Sequence, residues 1–328
     1  MKIIFTICSN NYLAQAKVLY NSVLQNCTNA KFVLVLVDTK HPNIEYGQLF
    51  PQADIYLIHE IAIPNFEFIS KNYDIIELNT AVKPTVFKFL VNSYTQAEQL
   101  YYFDPDIKIY NDLTALSEKL AQTSYVLTPH ILSPLAVDNL YPNENTFLNF
   151  GVFNLGFIGI NPQKQIAHEL LDWWEERTTK IGYNDPINGM FVDQLWFNIA
   201  VFLFKDYIVI EDKGCNFAPW NFHERLDLTH RDDKYIFDDK SMLTFLHFSN
   251  IDFGNPVNKT NYYDRFKQQA DNPILTSLYE GYFDELKLNG YQEFKKIKCH
   301  YKGLNKKKIY LKLSIPIWIL DMYKKIVK

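Results

Sequence analysis

The chain has 328 residues, 48% of them hydrophobic and 21% charged, which excludes a disordered polypeptide and suits one large domain. A net charge of −4 and four scattered cysteines give no global reason for nucleic-acid binding, exclude a CxxC zinc or redox centre, and fit free thiols in the cytoplasm. No run of 18 apolar residues occurs, and the apolar N-terminal stretch, Ile3 to Ile7, is five residues long and broken by Thr6, so neither a membrane span nor a signal peptide is predicted.

Lys2 to Ile7 reads as a buried strand that Asn10-Asn11 ends. Tyr12 to Gln25 carries Leu13, Ala16, Leu19, Val23 and Leu24 at helical spacing. Phe32 to Val37 is a second strand closing on Asp38, and Asp54 to Ile58 a third. Strand, helix, strand at this spacing predicts a parallel α/β unit. Lys83-Pro84 opens a helix over Thr85 to Val91. Gln99 to Phe103 is a strand running into Asp104-Pro105-Asp106. Tyr125 to Thr128 and Phe153 to Ile160 are further strands. Gln163 to Arg177 and Met190 to Phe204 are predicted helices, and Leu243 to Phe248 a late strand.

Ligands of open α/β sheets bind at the carboxyl ends of the strands. Three polar clusters fall there: Thr6 to Asn10, Asp38, and Asp104 with Asp106. Two carboxylates two residues apart at a strand end can face one hard cation such as Mg²⁺ or Mn²⁺. The same spacing also suits a proline turn with solvated acids. Further on, Cys215 to Arg225 gathers Trp220, Asn221, His223 and Arg225 in a proline-broken loop. Trp220 can stack on a sugar face, and His223 or Arg225 can engage diphosphate oxygens; a capping loop around a buried Trp is the alternative.

With that company the chain resembles nucleotide-sugar-dependent glycosyltransferases of the GT-A fold, and within them the retaining family 8 group. The motif carrying the resemblance is Tyr101-Tyr102-Phe103-Asp104-Pro105-Asp106-Ile107. Thr6-Ile7-Cys8-Ser9-Asn10-Asn11-Tyr12 looks like the loop that cradles the nucleoside, and Lys83-Pro84 like the basic residue upstream of the metal motif. Asn149 to Gly159 looks like the N-x-G-x-x strand. Phe191-Val192-Asp193-Gln194 matches a D-Q pair at the head of a later helix. Leu246-His247-Phe248-Ser249 resembles the element supplying a third metal ligand. These segments span residues 6 to 249.

The resemblance implies an α/β, Rossmann-like GT-A domain over residues 1–290 and a metal-dependent hexosyl transfer from a nucleotide sugar, a UDP-sugar by analogy, to a glycan or lipid-linked acceptor. Mn²⁺ or Mg²⁺ is expected on Asp104, Asp106 and His247. The donor is expected on Thr6, Cys8, Ser9, Asn10, Tyr12, Asp38, Lys83, Asp104, Asn154, Trp220, Asn221, His223 and Arg225. Asp193, with Gln194 beside it, is the expected catalytic pair; for Asp193 a helix-terminal acid, and for His247 a core histidine, are the structural alternatives. A non-catalytic nucleotide-sugar-binding protein is the competing function. A DxD phosphatase fits less well, because its motif belongs on the first strand and Lys108 stands where Thr or Val is needed.

Charge is unevenly spread. From Lys295 onward there are eleven lysines and one acid, Asp321, a net charge of +10, so the remaining residues carry −14. Trp318, Tyr323 and several Ile and Leu lie among those lysines. A basic, aromatic tail over 291–328 is what docking to an anionic membrane surface requires, at about 1 kcal/mol per lysine. A helix packed on the body with a solvated lysine face is the alternative. The expected location is the cytoplasmic face of the plasma membrane.

Overall fold

The first strand, β1 (Lys2–Cys8), shows the logic of the fold. Its side chains alternate between two apolar layers: Ile3, Phe5 and Ile7 enter one, and Ile4 and Cys8 the other. A strand buried on both faces needs cover on both, which is why it reads as a continuous apolar run. The computed structural model describes residues 1–250, 264–267 and 272–301.

The next strands in chain order are β2 (Ala30–Leu36), β3 (Asp54–Leu57), β4 (Gln99–Phe103), β5 (Ile107–Ile109), β6 (Tyr125–Pro129) and β7 (Phe153–Ile160). They are followed by β8 (Asn184–Asp185), β9 (Met190–Phe191), β10 (Tyr207–Val209), β11 (Thr229–Arg231), β12 (Lys234–Ile236) and β13 (Phe245–His247). The central sheet has seven strands in the order β10-β6-β7-β4-β1-β2-β3. β7 alone runs antiparallel to its neighbours, β4 and β6. The fold class is thus the expected one, an α/β domain on a mostly parallel sheet.

Helices cover both faces. Lys83–Ser93 and Gln165–Ile181 pack Val86, Phe87, Leu170 and Trp174 on one layer. Leu13–Asn26 packs Leu13, Ala16, Leu19 and Val23 on the other. A third cluster joins Phe217, Phe222, Leu246 and Phe248 to the helix Pro273–Leu288, which the sequence reading did not anticipate.

One expectation is corrected, and one helix had not been anticipated. The helix predicted over Met190 to Phe204 is a strand end, Met190–Phe191, then a turn, then a short helix, Phe197–Leu203. Val192 breaks it, adopting φ 41°, a left-handed backbone that strains a β-branched residue. Asp193 and Gln194 therefore sit in the turn, four and three residues before that helix. The helix Ile75–Ala81 was also missed. It opens on a capping box in which Asp74 accepts from Glu77 N at 2.9 Å and Glu77 accepts from Asp74 N at 2.7 Å.

Of the predicted tail, residues 291–301 pack on the body, through the helix Tyr291–Phe294 and contacts of Cys299, His300 and Tyr301. The rest, 302–328, lies outside the described residues.

Candidate functional site

The reversed direction of β7 sets the site. It brings the start of that strand beside the carboxyl ends of β4 and β6, with Asp104 N donating to Gly156 O at 2.7 Å and Pro129 opposite Phe153. β13 pairs with β5 and places His247 opposite Ile107. The ends of β1, β4 and β6, the start of β7 and the end of β13 therefore converge on one cavity of about 650 Å³.

At its floor lie Asp104, Asp106 and His247, with ligand atoms within 4.8 Å of one another. His247 Nε2 is 3.1 Å from Asp106 Oδ1 and 3.7 Å from Asp104 Oδ2. The imidazole is 5% exposed and the carboxylates 29% and 19%, so the acids open on the cavity while the histidine is held. Asn154 Oδ1 accepts from Gly156 N at 3.3 Å and lies 3.3 Å from His247 Nδ1. Nδ1 is therefore the donor in that contact, and Nε2 faces the carboxylates. Tyr102 OH donates to Asp104 Oδ1 at 2.5 Å. Two carboxylates, an imidazole and an outer shell that orients them suit a divalent cation. Burial lowers the His247 pKa, but neighbouring Asp106 and Asp104 outweigh it, and the net direction is upward.

Gly156 is part of this construction. A Cβ there would lie 2.5 Å from His247 Cε1 and 2.8 Å from Asn154 Oδ1. Gly156→Ala is expected to displace the imidazole and weaken Mn²⁺ binding about 10- to 100-fold. Isothermal titration with Mn²⁺ checks it; unchanged affinity would detach His247 from the metal.

Beside the acids lies a buried ion pair. Lys83 Nζ is 2.6 Å from Asp193 Oδ2, and both side chains are at most 3% exposed. Lys83 also donates to Leu155 O at 2.9 Å and lies 4.2 Å from the centre of the Tyr102 ring. Burial pushes the Asp193 carboxyl pKa up, Lys83 pulls it down, and burial prevails. Trp174 Nε1 donates to Asp193 O at 3.1 Å, fixing the turn from the helix behind it. Gln194 donates to Phe150 O at 2.6 Å and accepts from Leu155 N at 3.1 Å. The predicted catalytic pair is thus tied to the start of β7, and Gly151, at φ 113°, leaves room for Gln194 Cγ.

Of the sequence-predicted residues, Cys8, Ser9, Tyr12, Lys83, Asp104, Asp106, Asn154, Asp193, Gln194, Trp220 and His247 line the cavity. The others do not. Thr6 is buried in β1. Asn10 accepts from Tyr46 OH at 2.5 Å and donates to Thr39 O at 2.9 Å. Asp38 accepts from the backbone N–H groups of Asn10, Thr39 and His300. Asn221 donates to the carbonyls of His130 and Asn216. The buried Arg225 guanidinium donates to the carbonyls of Lys213 and Cys215 at 2.7 and 2.8 Å. His223 sits on the adjoining turn, outside the cavity lining.

His130 enters the site without having been anticipated; its place two residues past the strand read over Tyr125 to Thr128 was the available signal. Asn154 Nδ2 meets its Nε2 at 3.4 Å, and Trp220 packs edge-on against both His130 and His247 at 5.3 Å. Burial pushes the His130 pKa down to about 3 from 6.5. The unfolded chain then takes up a proton that the folded chain refuses. Stability is full above pH 6.5 and falls as the pH drops toward 3, at up to about 1.4 kcal/mol per pH unit. Urea unfolding of wild type and His130→Phe across that window checks this. The variant's acid limb is expected to be shallower, and parallel curves would contradict it.

No family model matches the chain. It is 26% identical over 246 residues, 74% of its length and 80% of the relative's, to the uncharacterized protein YfnF of Bacillus subtilis (strain 168). Among solved structures it overlaps a galactosyltransferase, LgtC, determined in complex with donor and acceptor sugar analogs: TM-score 0.49, 16% identity, 82% of this chain and 95% of that one. It also overlaps the glycosyltransferase GlyE of Streptococcus pneumoniae TIGR4: TM-score 0.49, 16% identity, 94% of this chain and 67% of that one. In its strand-end motifs, Asp104-Pro105-Asp106 above all, the chain resembles glycosyltransferases of the GT-A fold.

Proposed function

We propose that the protein is a metal-dependent glycosyltransferase that moves a sugar from a nucleotide-sugar donor to a hydroxyl of a glycan or lipid-linked glycan. One observation carries the reading: a cation-suited triad, Asp104, Asp106 and His247, shares a cavity with the buried Lys83–Asp193 pair. A divalent cation held by the triad supplies charge neutralisation for a diphosphate leaving group. The chain's own residues do the rest. Tyr102 and Asn154 hold the triad's orientation. Cys8, Ser9 and Tyr12 form the nucleoside side of the cavity. Asp193 stands where positive charge develops on the sugar carbon as the C1–O bond to the diphosphate breaks and the bond to the acceptor oxygen forms. The acceptor proton leaves with the departing phosphate or passes to a carboxylate. UDP as nucleotide, and retention at the anomeric carbon, follow the family resemblance.

The test is a donor screen with acceptor glycans, reading nucleoside diphosphate release with and without Mn²⁺. Release that needs both metal and acceptor supports transfer. Metal-dependent donor binding without release would favour the non-catalytic binding protein.

Among the described residues no helix is long and apolar enough to cross a membrane. We place the lysine-rich segment from Lys302 onward at an anionic membrane surface. Because residues 291–301 pack on the body, the informative truncation follows Tyr301. It is expected to abolish cosedimentation with phosphatidylglycerol vesicles, and undiminished binding would contradict the anchor.

A further inference from the structure

The segment that closes the described chain is bound to the cavity's nucleoside side. Cys299 Sγ donates to Asn11 Oδ1 at 3.1 Å, across 288 residues of sequence. His300 N donates to Asp38 Oδ1 at 2.8 Å. Tyr301 packs edge-on against Phe66 at 5.2 Å and joins the apolar layer beneath β1 and β2. The helix Tyr291–Phe294 packs on the turn Asn10–Tyr12. Three of these contacts converge on the loops after β1 and β2, and the fourth seats Tyr301 on the helix Phe66–Asn72.

Those loops form one interlocked unit. The Asp38 carboxylate is 1% exposed and takes three backbone N–H groups: Asn10 and Thr39 from the loops, and His300 from the segment. Ser9 Oγ donates to Val37 O at 3.0 Å, and Asn79 Nδ2 donates to Ser9 Oγ at 3.2 Å. Cys8, Ser9, Asn11 and Tyr12 line the cavity from this unit. With its Oδ1 accepting from the Cys299 thiol, Asn11 presents its amide N–H₂ as the end that can donate to a ligand. Loss of the His300 bond would leave a buried carboxylate short of a donor, and an unmet buried hydrogen bond is costly. The loop would then shift toward water to recover it.

We infer that Cys299 and His300 are positioning residues of the donor site: they strap the loops after β1 and β2 into the shape that binds the nucleoside end of the donor. The inference rests on the glycosyltransferase reading and adds a requirement that the catalytic residues do not reveal. The strap acts through two atoms, the His300 backbone N–H and the Cys299 thiol. The His300 imidazole is dispensable.

The test uses the full-length protein. Wild type is first titrated with UDP, GDP, ADP, CDP and dTDP in the presence of Mn²⁺, and the diphosphate that binds becomes the probe. His300→Pro removes the N–H, whereas His300→Ala keeps it. Cys299→Val removes the thiol donor at nearly constant volume, whereas Cys299→Ser retains a donor. The strap predicts that His300→Pro and Cys299→Val weaken diphosphate binding about tenfold, while His300→Ala and Cys299→Ser stay within about twofold. Affinity for Mn²⁺ alone should hold in all four, because the triad lies on other strands; a general loss of structure would lower both affinities together. The inference is overturned if His300→Pro and Cys299→Val bind the diphosphate like wild type, if His300→Ala loses as much as His300→Pro, or if Mn²⁺ affinity falls in parallel. If His300→Pro fails to fold, the Cys299 pair decides alone. If no diphosphate binds wild type with Mn²⁺, the proposed function itself fails, and the strap with it.

Discussion

Asp106→Ala is expected to abolish the stabilisation that Mn²⁺ with a nucleoside diphosphate confers on wild type, and to lower kcat/KM by about a thousandfold or more, while the metal-free protein melts close to wild type. The two halves of that result have different causes. Asp106 supplies one of three ligand atoms within 4.8 Å, and a cation neutralising a leaving diphosphate contributes several kcal/mol to the transition state, which corresponds to about a thousandfold in rate. Without metal, Asp104 and Asp106 repel each other across the same gap, and removing one relieves that repulsion. The lost contact to His247 Nε2, 3.1 Å away, offsets the relief. Thermal melts with and without Mn²⁺ check both halves. A variant that still gained stability from metal and diphosphate would remove Asp106 from the site.

The second large effect belongs to Lys83 and Asp193. Lys83→Met leaves a carboxylate that is 3% exposed without its cation, and Asp193→Leu leaves the ammonium without its anion. Breaking a buried pair from one side costs about 3–5 kcal/mol, because the surviving charge is stranded away from water. Replacing both partners with apolar side chains costs less than either single change, since no charge then remains to be buried. Urea denaturation of the two single variants and the double variant measures this cycle. Single variants within 1 kcal/mol of wild type would mean that water reaches the pair. Activity is a separate readout. Asp193→Asn keeps the volume and is expected to lower kcat; a variant as active as wild type would restrict Asp193 to holding Lys83 in place.

The sheet was legible in the sequence where its strands are buried on both faces. β1 and β2 are near-continuous apolar runs rich in Ile or Val, β4 is an aromatic run, and β7 is an apolar stretch interrupted by Asn154 and two glycines. Strands of two or three residues, such as β5 and β9, carry no period to read. The stretch after Met190 misled because its apolar residues suit a helix, while the left-handed turn at Val192 leaves no composition signal. Ile75–Ala81 was missed despite a readable cap, Asp74 with Glu77 three residues later.

In the site, Asp104, Asp106 and His247 could be proposed together only because a family resemblance linked residues 104 and 247; spacing alone does not join them. The Lys83–Asp193 pair spans 110 positions and is created by tertiary packing, so the sequence offered each residue but not the pairing. Arg225 and Asp38 illustrate the converse. Both are charged groups in polar loops, the usual profile of ligand contacts, yet backbone groups occupy them in the fold. The docking of Cys299 and His300 on the loops after β1 and β2 had no sequence signal at all, because it lies in what reads as the start of a basic tail.

The most direct test of the central claim is a thermal-shift matrix on the wild-type protein, crossing nucleotide sugars with Mn²⁺, Mg²⁺ and chelator. A donor at 100 times its dissociation constant adds about 2.7 kcal/mol to the folded state, enough to raise the melting temperature by several degrees. The triad predicts one nucleotide whose sugar conjugate shifts the melt only when the metal is present. A shift of equal size in chelator, or none with any donor and metal, would contradict a metal-dependent nucleotide-sugar site at Asp104, Asp106 and His247.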